Sequence, residues 1–279
     1  MAITNFIPTV WSESLLRALD KTYIGIANCN REFEGDIREK GDKVKICGLE
    51  SVKIGNYTKN ENLQAPEILS DTCTELAIDQ AKYFNFQIDD VDLAQCNPRL
   101  MELAVQNAAR ALANVAERHV YSLNTEADNY LENLTPTTDN IINTLIDART
   151  MLLKENVMDP SDIVIEVSPE VAGLILKAKV MLSTDNTDAL ENGCIGNIGG
   201  CKIFVSSNIP SYEDESMMVS QCVARTRRAV AFAEQLSEVE AYRPELRFAD
   251  AMKGLHLYGA KVVYPNEMVL MNIALPQLA

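Results

Sequence analysis

The stretch at residues 97–123 reads NPRLMELAVQNAARALANVAERHVYSL, and it contains the strongest secondary-structure signal of the chain. Asn97 is a favourable helix N-cap, and Pro98 stands at the first helical position, where its missing N–H removes no hydrogen bond. Residues then recur at helical spacing along one face. They are Leu100, Leu103, Ala104, Ala108, Ala111, Leu112, Val115, Ala116, His119 and Leu123. The pattern predicts a spine helix over 98–123, about 39 Å long at 1.5 Å per residue, whose alanines permit close packing.

Strand-like segments precede this helix and enclose a polar stretch. Apolar and polar residues alternate at 41–46, 75–79 and 83–88, as they do in half-buried strands. Between the first two segments, residues 55–66 offer few apolar side chains to a core. Long structureless loops are uncommon inside compact domains. The pattern therefore predicts a β-hairpin excursion that finds its support on another subunit, with a disordered surface loop as the alternative.

Helix and strand patterns alternate in the second half of the chain. Thr138 is expected to cap one helix, and Ser168 followed by Pro169 to cap another. A further short helix is predicted at 228–236. The predicted strands are 163–167, 202–206, 239–242, 256–263 and 267–271.

Composition limits the classes of function. The chain has 279 residues, 47% of them hydrophobic, and a net charge of −15, which argues against a free-standing nucleic-acid binder. No apolar run approaches the ~18–20 residues of a membrane span, and the residues at the start do not lead us to expect a secretion signal. Residues 1–60 carry nine basic and eight acidic side chains, whereas the rest carries 16 and 32. An acidic body joined to a near-neutral arm is compatible with subunits whose unlike regions touch.

Cysteines and histidines offer little catalytic material. The seven cysteines have irregular spacing, and the expectation is reduced, mostly buried thiols. Zinc would need close pairs or histidine partners, and the two histidines, His119 and His256, are expected to have packing or capping roles. Neither a metal nor a cofactor is expected.

The remaining polar motifs favour structural explanations over catalytic ones. Glycines at 193–200 open a strand rather than a helix, so turns are expected there instead of a phosphate cradle. The carboxylates at 89–92 suit a helix N-terminus. Glu238 and Glu240 would share a strand face near Arg243, which favours a salt-bridged surface or a subunit contact over a glycosidase pair. The basic cluster at 225–228 could meet acidic side chains of a neighbour.

In their order along the chain, several segments resemble the major capsid proteins of tailed bacteriophages, which have the Hong Kong 97-type shell fold. The segments are FIPTVWS at 6–12 with Leu15 and Leu16, NREFEG at 30–35, GDKVKI at 41–46, AVAFAEQ at 229–235, VEAYR at 239–243, FADAMKGL at 248–255 and YGAKVV at 258–263. They look most like the group that includes P22-type coat proteins.

This resemblance implies an α+β fold with four parts. The N-terminal arm is expected at 1–36. The first part of a peripheral domain, at 37–129, would include an extended β-hairpin loop at 48–75 and the spine helix. An α/β axial domain is expected at 130–225, and return strands of the peripheral domain at 226–279.

The implied function is self-assembly into the icosahedral head shell of a tailed phage enclosing double-stranded DNA, without catalysis. The candidate subunit contacts are Trp11, Leu15, Leu16, Lys53, Tyr57, Lys59, Arg227, Arg228, Glu238, Glu240 and Arg243. The expected partners are copies of the chain in pentamers and hexamers, a portal, a separate scaffolding protein and a decoration protein. DNA would be enclosed without sequence-specific binding, and no membrane is involved. The expected location is the virion, after assembly in the bacterial cytoplasm.

Two alternatives stay open at this point. An encapsulin-like nanocompartment shares the shell fold but encloses enzymes instead of DNA. A soluble α/β enzyme would place its site near 193–202, at the glycine-rich stretch.

Overall fold

A computed structural model describes most of the chain in an α+β arrangement built around three sheets. The described residues are 19, 22–32, 43–49, 59, 71–90, 100–155, 157, 159–178, 194–214 and 217–276. Most of the expected N-terminal arm at 1–36 therefore lies outside the described residues, as do Asn97 and Pro98.

The spine helix α1 (Leu100–Ser122) is confirmed, with 23 residues. Its buried face includes alanines that bring the helix backbone close to its neighbours. The buried apolar residues that pack together include Val105, Ala109, Leu112, Ala113, Ala116 and Val120. They pack on one face of a sheet and on residues of the 22–32 segment.

That sheet has three antiparallel strands in the order β10, β11, β3. They are β3 (Gln80–Asp89), β10 (Val230–Tyr242) and β11 (Ala249–Val262). The predicted helix at 228–236 is wrong: a 3-10 turn (Arg227–Ala229) leads straight into β10. Phe232 packs towards α1 while Ala231 and Ala233 pack on the opposite face. A strand buried on both faces has a continuous apolar pattern, which periodicity does not separate from a helix.

The opposite face of this sheet carries the base of the predicted hairpin excursion. Strands β1 (Lys43–Leu49) and β2 (Asp71–Ala77) pair antiparallel over their whole length. Their inner face is apolar, and it packs on Ala231, Ala233 and Leu257. Contact is close at Gly259, where a Cβ atom would lie 2.2 Å from the carbonyl oxygen of Ala77. The hairpin base is therefore docked on the body, and the polar stretch between its strands, apart from Lys59, lies outside the described residues.

The largest sheet has seven strands, with the path β4, β12, β9, β5, β7, β6 and with β8 paired to β9. The strands are β4 (Asn129–Leu134), β5 (Ile163–Val167), β6 (Cys194–Ile198), β7 (Cys201–Val205), β8 (Ser211–Asp214), β9 (Met217–Thr226) and β12 (Met268–Pro276). Helices α2 (Ile141–Lys154) and α3 (Pro169–Lys177) cover one face and bury a second apolar core.

Local signals predict some of this unit correctly. Ser168 caps α3 by accepting a hydrogen bond from the N–H of Val171 at 3.5 Å. The expected cap at Thr138 is wrong, because α2 has Asn140 at its N-cap position. The expected turn in the glycine-rich stretch is present, since Gly199 (φ 59°) and Gly200 (φ 88°) connect β6 to β7. Positive φ at both positions suits glycine and a tight hairpin.

One strand crosses the predicted division of the chain. The return strands were expected to join the peripheral part, but β12 pairs with β4 and β9 inside the seven-stranded sheet. The chain thus leaves this sheet after β9, adds β10 and β11 to the three-stranded sheet, and then returns. The neighbouring strands β9 and β12 of the seven-stranded sheet are therefore separated in the sequence by β10 and β11.

Candidate functional site

The predicted contacts of the arm and the extended loop fall largely outside the described residues. Trp11, Leu15, Leu16, Lys53 and Tyr57 belong to the part of the chain that the structure does not describe. Lys59 is an exposed turn residue. The subunit contacts proposed for these six residues stay predictions.

The predicted contacts among the return strands have intramolecular partners. Nε of Arg227 lies 3.7 Å from Asp162, and Nζ of Lys253 lies 2.8 Å from Glu240. Arg228 binds Glu267 with two nitrogens. Backbone pairing places Glu238 opposite Leu255. The basic cluster at 225–228 is therefore engaged within the subunit, which was not foreseen.

Arg243 stabilises the end of the β10–β11 hairpin. Its guanidinium binds Asp90 at 2.7 and 2.8 Å and Asp250 at 2.9 Å. The side chain is still 64% exposed. Asp90, one of the carboxylates expected near a helix N-terminus, is the acidic partner of this arginine. An ion pair this exposed to solvent contributes little to stability, so its main effect is to orient the turn between the strands.

That turn exposes two large apolar side chains. Leu246 is 96% exposed and Phe248 is 85% exposed. The rigid ladder of β10 and β11 holds them at its end, while Arg243 ties the turn to β3. Sequence reasoning missed these two residues. The signal was present, because two large apolar residues, Leu246 and Phe248, interrupt the polar run RPELRF at 243–248.

A buried ion pair lies where the 22–32 segment meets the seven-stranded sheet. Glu166 of β5 and Arg225 of β9 are 0% and 1% exposed, and Nε of the arginine lies 3.1 Å from the carboxylate. Arg225 also donates to the carbonyl oxygens of Gly25 (2.9 Å) and Asn28 (3.1 Å). The amide of Asn28 donates to Glu166 at 3.0 Å. Buried charges must be fully paired to be stable. Here atoms of the 22–32 segment supply the hydrogen bonds that Glu166 and Arg225 do not make to each other.

A second buried carboxylate fixes the same segment to the spine helix. Glu117 of α1 accepts backbone N–H groups of Ile24 and Gly25, the latter at 2.8 Å. Its other oxygen accepts from Asn208 at 2.8 Å and from Ser206 at 3.3 Å. Burial raises the pKa of Glu117 in spite of these hydrogen bonds. Two sheets and the spine helix are therefore joined through residues 22–32.

A third carboxylate, Glu234 of β10, completes this junction. It accepts from Tyr23 at 2.5 Å and from Arg31 at 2.7 Å, and Nε2 of His256 lies 2.8 Å away. Burial opposes ionisation, but the hydrogen bonds from His256 and Tyr23 outweigh it, so the pKa of Glu234 is lowered. The expected packing role of His256 is thus incomplete. His119 does pack, edge-on against Tyr258 at 5.7 Å between ring centroids.

The described residues contain no group of three or more potential metal ligands. In the same part of the chain, no helix combines the length and the apolar character needed to cross a membrane. What the geometry does provide is a rigid body with a docked hairpin base, an anchored 22–32 segment and an exposed apolar tip. This arrangement suits association between copies of the chain.

Comparisons with known proteins agree with that conclusion. A family model described as "Phage capsid protein" matches residues 74–270. A structure from Mycobacterium phage Che8 is 28% identical, with a TM-score of 0.68 over 88% of this chain and 89% of that one. The capsid of Ralstonia phage GP4 is 11% identical, with a TM-score of 0.70 over 90% and 87%.

A virus-like particle from Pyrococcus furiosus shares the fold at 12% identity, with a TM-score of 0.57 over 93% of this chain and 96% of that one. A sequence comparison with curated proteins finds no match. The resemblance to the Hong Kong 97-type shell fold is confirmed. The family match covers well over half of the chain and names a structural protein, which favours neither the enzyme nor the nanocompartment. The chain belongs to the phage capsid protein family, and it is a major capsid protein that associates with its own copies to form the head shell of the virion.

Proposed function

We propose that the subunit builds this shell by placing projecting elements on the bodies of neighbouring copies. The elements are the part of the arm at 1–36 that precedes the anchored 22–32 segment, the extended loop at 48–75 and the tip of the β10–β11 hairpin. The four-part division predicted from the sequence is retained, with β12 added to the axial sheet. Trp11, Leu15, Leu16, Lys53, Tyr57 and Lys59 are the proposed contacts of the arm and loop.

The observation that carries this proposal is the exposed pair Leu246 and Phe248 at the end of a long, braced hairpin. Apolar area removed from water contributes about 25 cal/mol per Å², so a neighbour that covers both side chains gains stability. The hairpin ladder holds the pair in position before association, which reduces the entropy lost on binding.

The charged candidates of the return strands have a narrower proposed role. Arg227, Glu240 and Arg243 are bound within the subunit but remain about half exposed or more. They can form a second ion pair with a neighbour without losing the first. Arg228 and Glu238 are retained as weaker candidates, the former because Glu267 already takes two of its nitrogens.

The shell is further proposed to consist of pentamers and hexamers and to enclose double-stranded DNA without reading its sequence. The net charge of −15 supports enclosure rather than tight binding, because counterion release requires a basic surface. A portal, a separate scaffolding protein and a decoration protein are proposed partners. Membership of the P22-type group is also a proposal, and the ordered sequence motifs support it.

Deletion of residues 55–70 tests the role of the extended loop. The paired strands β1 and β2 would remain, so the body should fold and should show the circular dichroism and unfolding midpoint of the parent chain. Electron microscopy should show shells for the parent chain and unassembled subunits for the deletion. Normal shells from the deletion would contradict the proposed role.

A further inference from the structure

Two cysteines stand opposite each other at the base of the hairpin excursion. The ladder between β1 and β2 has an unbroken register of seven pairs, from Lys43 opposite Ala77 to Leu49 opposite Asp71, and it places Cys47 opposite Cys73. Directly opposed residues in an antiparallel pair have Cα atoms about 4.5 or 5.5 Å apart, depending on their hydrogen bonding. A disulfide needs about 4.4–6.8 Å, so either kind of pair can be bridged.

The position of this pair differs from that of the other described cysteines. Cys73 is exposed, whereas Cys29, Cys194, Cys201 and Cys222 are buried. Burial raises the pKa of Cys222 to about 12 and also raises that of Cys29, which suppresses their thiolates. A soluble oxidant therefore reaches Cys73 far more easily than it reaches these four.

We propose that Cys47 and Cys73 form a reversible cross-strand disulfide that closes the base of the excursion. The oxidant is a small-molecule disulfide such as oxidised glutathione. The Cys73 thiolate attacks one sulfur of the oxidant, which forms a mixed disulfide and releases one small thiol. The Cys47 thiolate then attacks the sulfur of Cys73, which forms the protein disulfide and releases a second thiol. Two protein thiols are oxidised and one small disulfide is reduced to two thiols.

This modification suits a protein that passes from a reducing cytoplasm to an oxidising exterior. A bridge between residues 47 and 73 would restrict the ends of the intervening loop and lower its conformational entropy. The bond itself rests on the register of β1 and β2, while its effect on the shell also rests on the proposed function of the loop.

Tryptic peptides test the bond directly. Trypsin releases Cys47 in residues 46–53 and Cys73 in residues 60–82. Particles and unassembled subunits are treated with oxidised glutathione, blocked with N-ethylmaleimide and digested without reductant. Mass spectrometry should find most of the two peptides as one linked species, two hydrogen atoms lighter than their sum, and reduction should separate them. Separate peptides, Cys73 bound only to glutathione, or Cys73 bound to a second copy would each overturn the proposal.

A double substitution provides the control for the effect on particles. Oxidation should raise the denaturant midpoint for disassembly of the parent shell and leave that of Cys47→Ser/Cys73→Ser unchanged. An equal shift in both would refute the stabilising effect of the bond. Linked peptides in subunits that form no shells would contradict the proposed function alone, and shells without linked peptides would contradict the disulfide alone.

Discussion

At the scale of the residue, three buried carboxylates explain why the 22–32 segment has a defined place. Glu117, Glu166 and Glu234 lie on a helix and on strands of two different sheets, and each binds atoms of this segment. The segment contributes backbone N–H groups to Glu117 and backbone carbonyl oxygens to Arg225, the partner of Glu166, so its path matters as much as its side chains. The network attaches the arm to the body of the subunit at residues 22–32, well after the start of the arm.

Removing one charge of the buried pair should be strongly destabilising. Arg225→Met leaves the buried Glu166 carboxyl group without its guanidinium partner, and it removes the donors to two segment carbonyls. We expect a loss of about 3–5 kcal/mol, measured as the free energy of unfolding in urea. The matched control is Arg227→Met, whose side chain is 45% exposed, with an expected change within about 0.5 kcal/mol. Equal effects of the two changes would show that the pair is unimportant.

Glu234 makes part of the stability dependent on acid. Its folded-state pKa lies below the ordinary 4.5, so its contribution is complete above the unfolded pKa and is lost as pH falls through the folded value. The pKa of Glu117 is shifted in the opposite direction, upwards, so the contribution of Glu117 to stability increases as the pH falls. Glu234→Gln should therefore be less stable than the parent at pH 7, with a gap that narrows below about pH 4.5. A gap that stays constant between pH 7 and pH 3 would contradict this assignment.

At the scale of the element, strands were harder to predict than helices. The spine helix was predictable because its periodicity extends over more than six turns, and α3 because Ser168 and Pro169 mark its start. Strand β10 was mistaken for a helix in its first half because Phe232 and Ala233 are both buried, on opposite faces. Its two covering layers, α1 and the β1–β2 hairpin, come from distant sequence.

The docking of the hairpin base depends on one glycine. Gly259→Ala would place a Cβ atom 2.2 Å from the carbonyl oxygen of Ala77, so β2 must move away from β11. We expect a loss of about 1–3 kcal/mol in the free energy of unfolding and faster hydrogen exchange in β1 and β2.

The control for this substitution is Gly173→Ala in α3. A Cβ atom there meets nothing within 4 Å, and alanine has the higher helix propensity. We expect a gain of about 0.5–1 kcal/mol. Unchanged hydrogen exchange in the hairpin of Gly259→Ala would mean that the close contact does not determine its docking.

At the scale of the whole molecule, assembly and folding should be separable. Leu246→Ser/Phe248→Ser changes two side chains that are 96% and 85% exposed, so the unfolding midpoint of the isolated subunit should change little. Shell formation, followed by light scattering and electron microscopy, should be lost or should require a much higher protein concentration. The control is Tyr212→Ser, which is 46% exposed on β8. If the double variant forms shells at the same protein concentration as the parent, the tip of the β10–β11 hairpin is not a subunit contact.

The sequence was sufficient to predict the spine helix, α3 and several strands, and its ordered motifs indicated the family. Periodicity and caps are local properties, and residues close in sequence express them. Tertiary structure alone decided the buried network around Glu166, the place of β12 in the seven-stranded sheet and the exposure of Leu246 and Phe248. These features join residues that lie far apart in the chain, as Glu234 and Tyr23 do. A single charged residue in the apolar strand IVIEV indicates that a partner exists, but only the packed fold brings Arg225 to it.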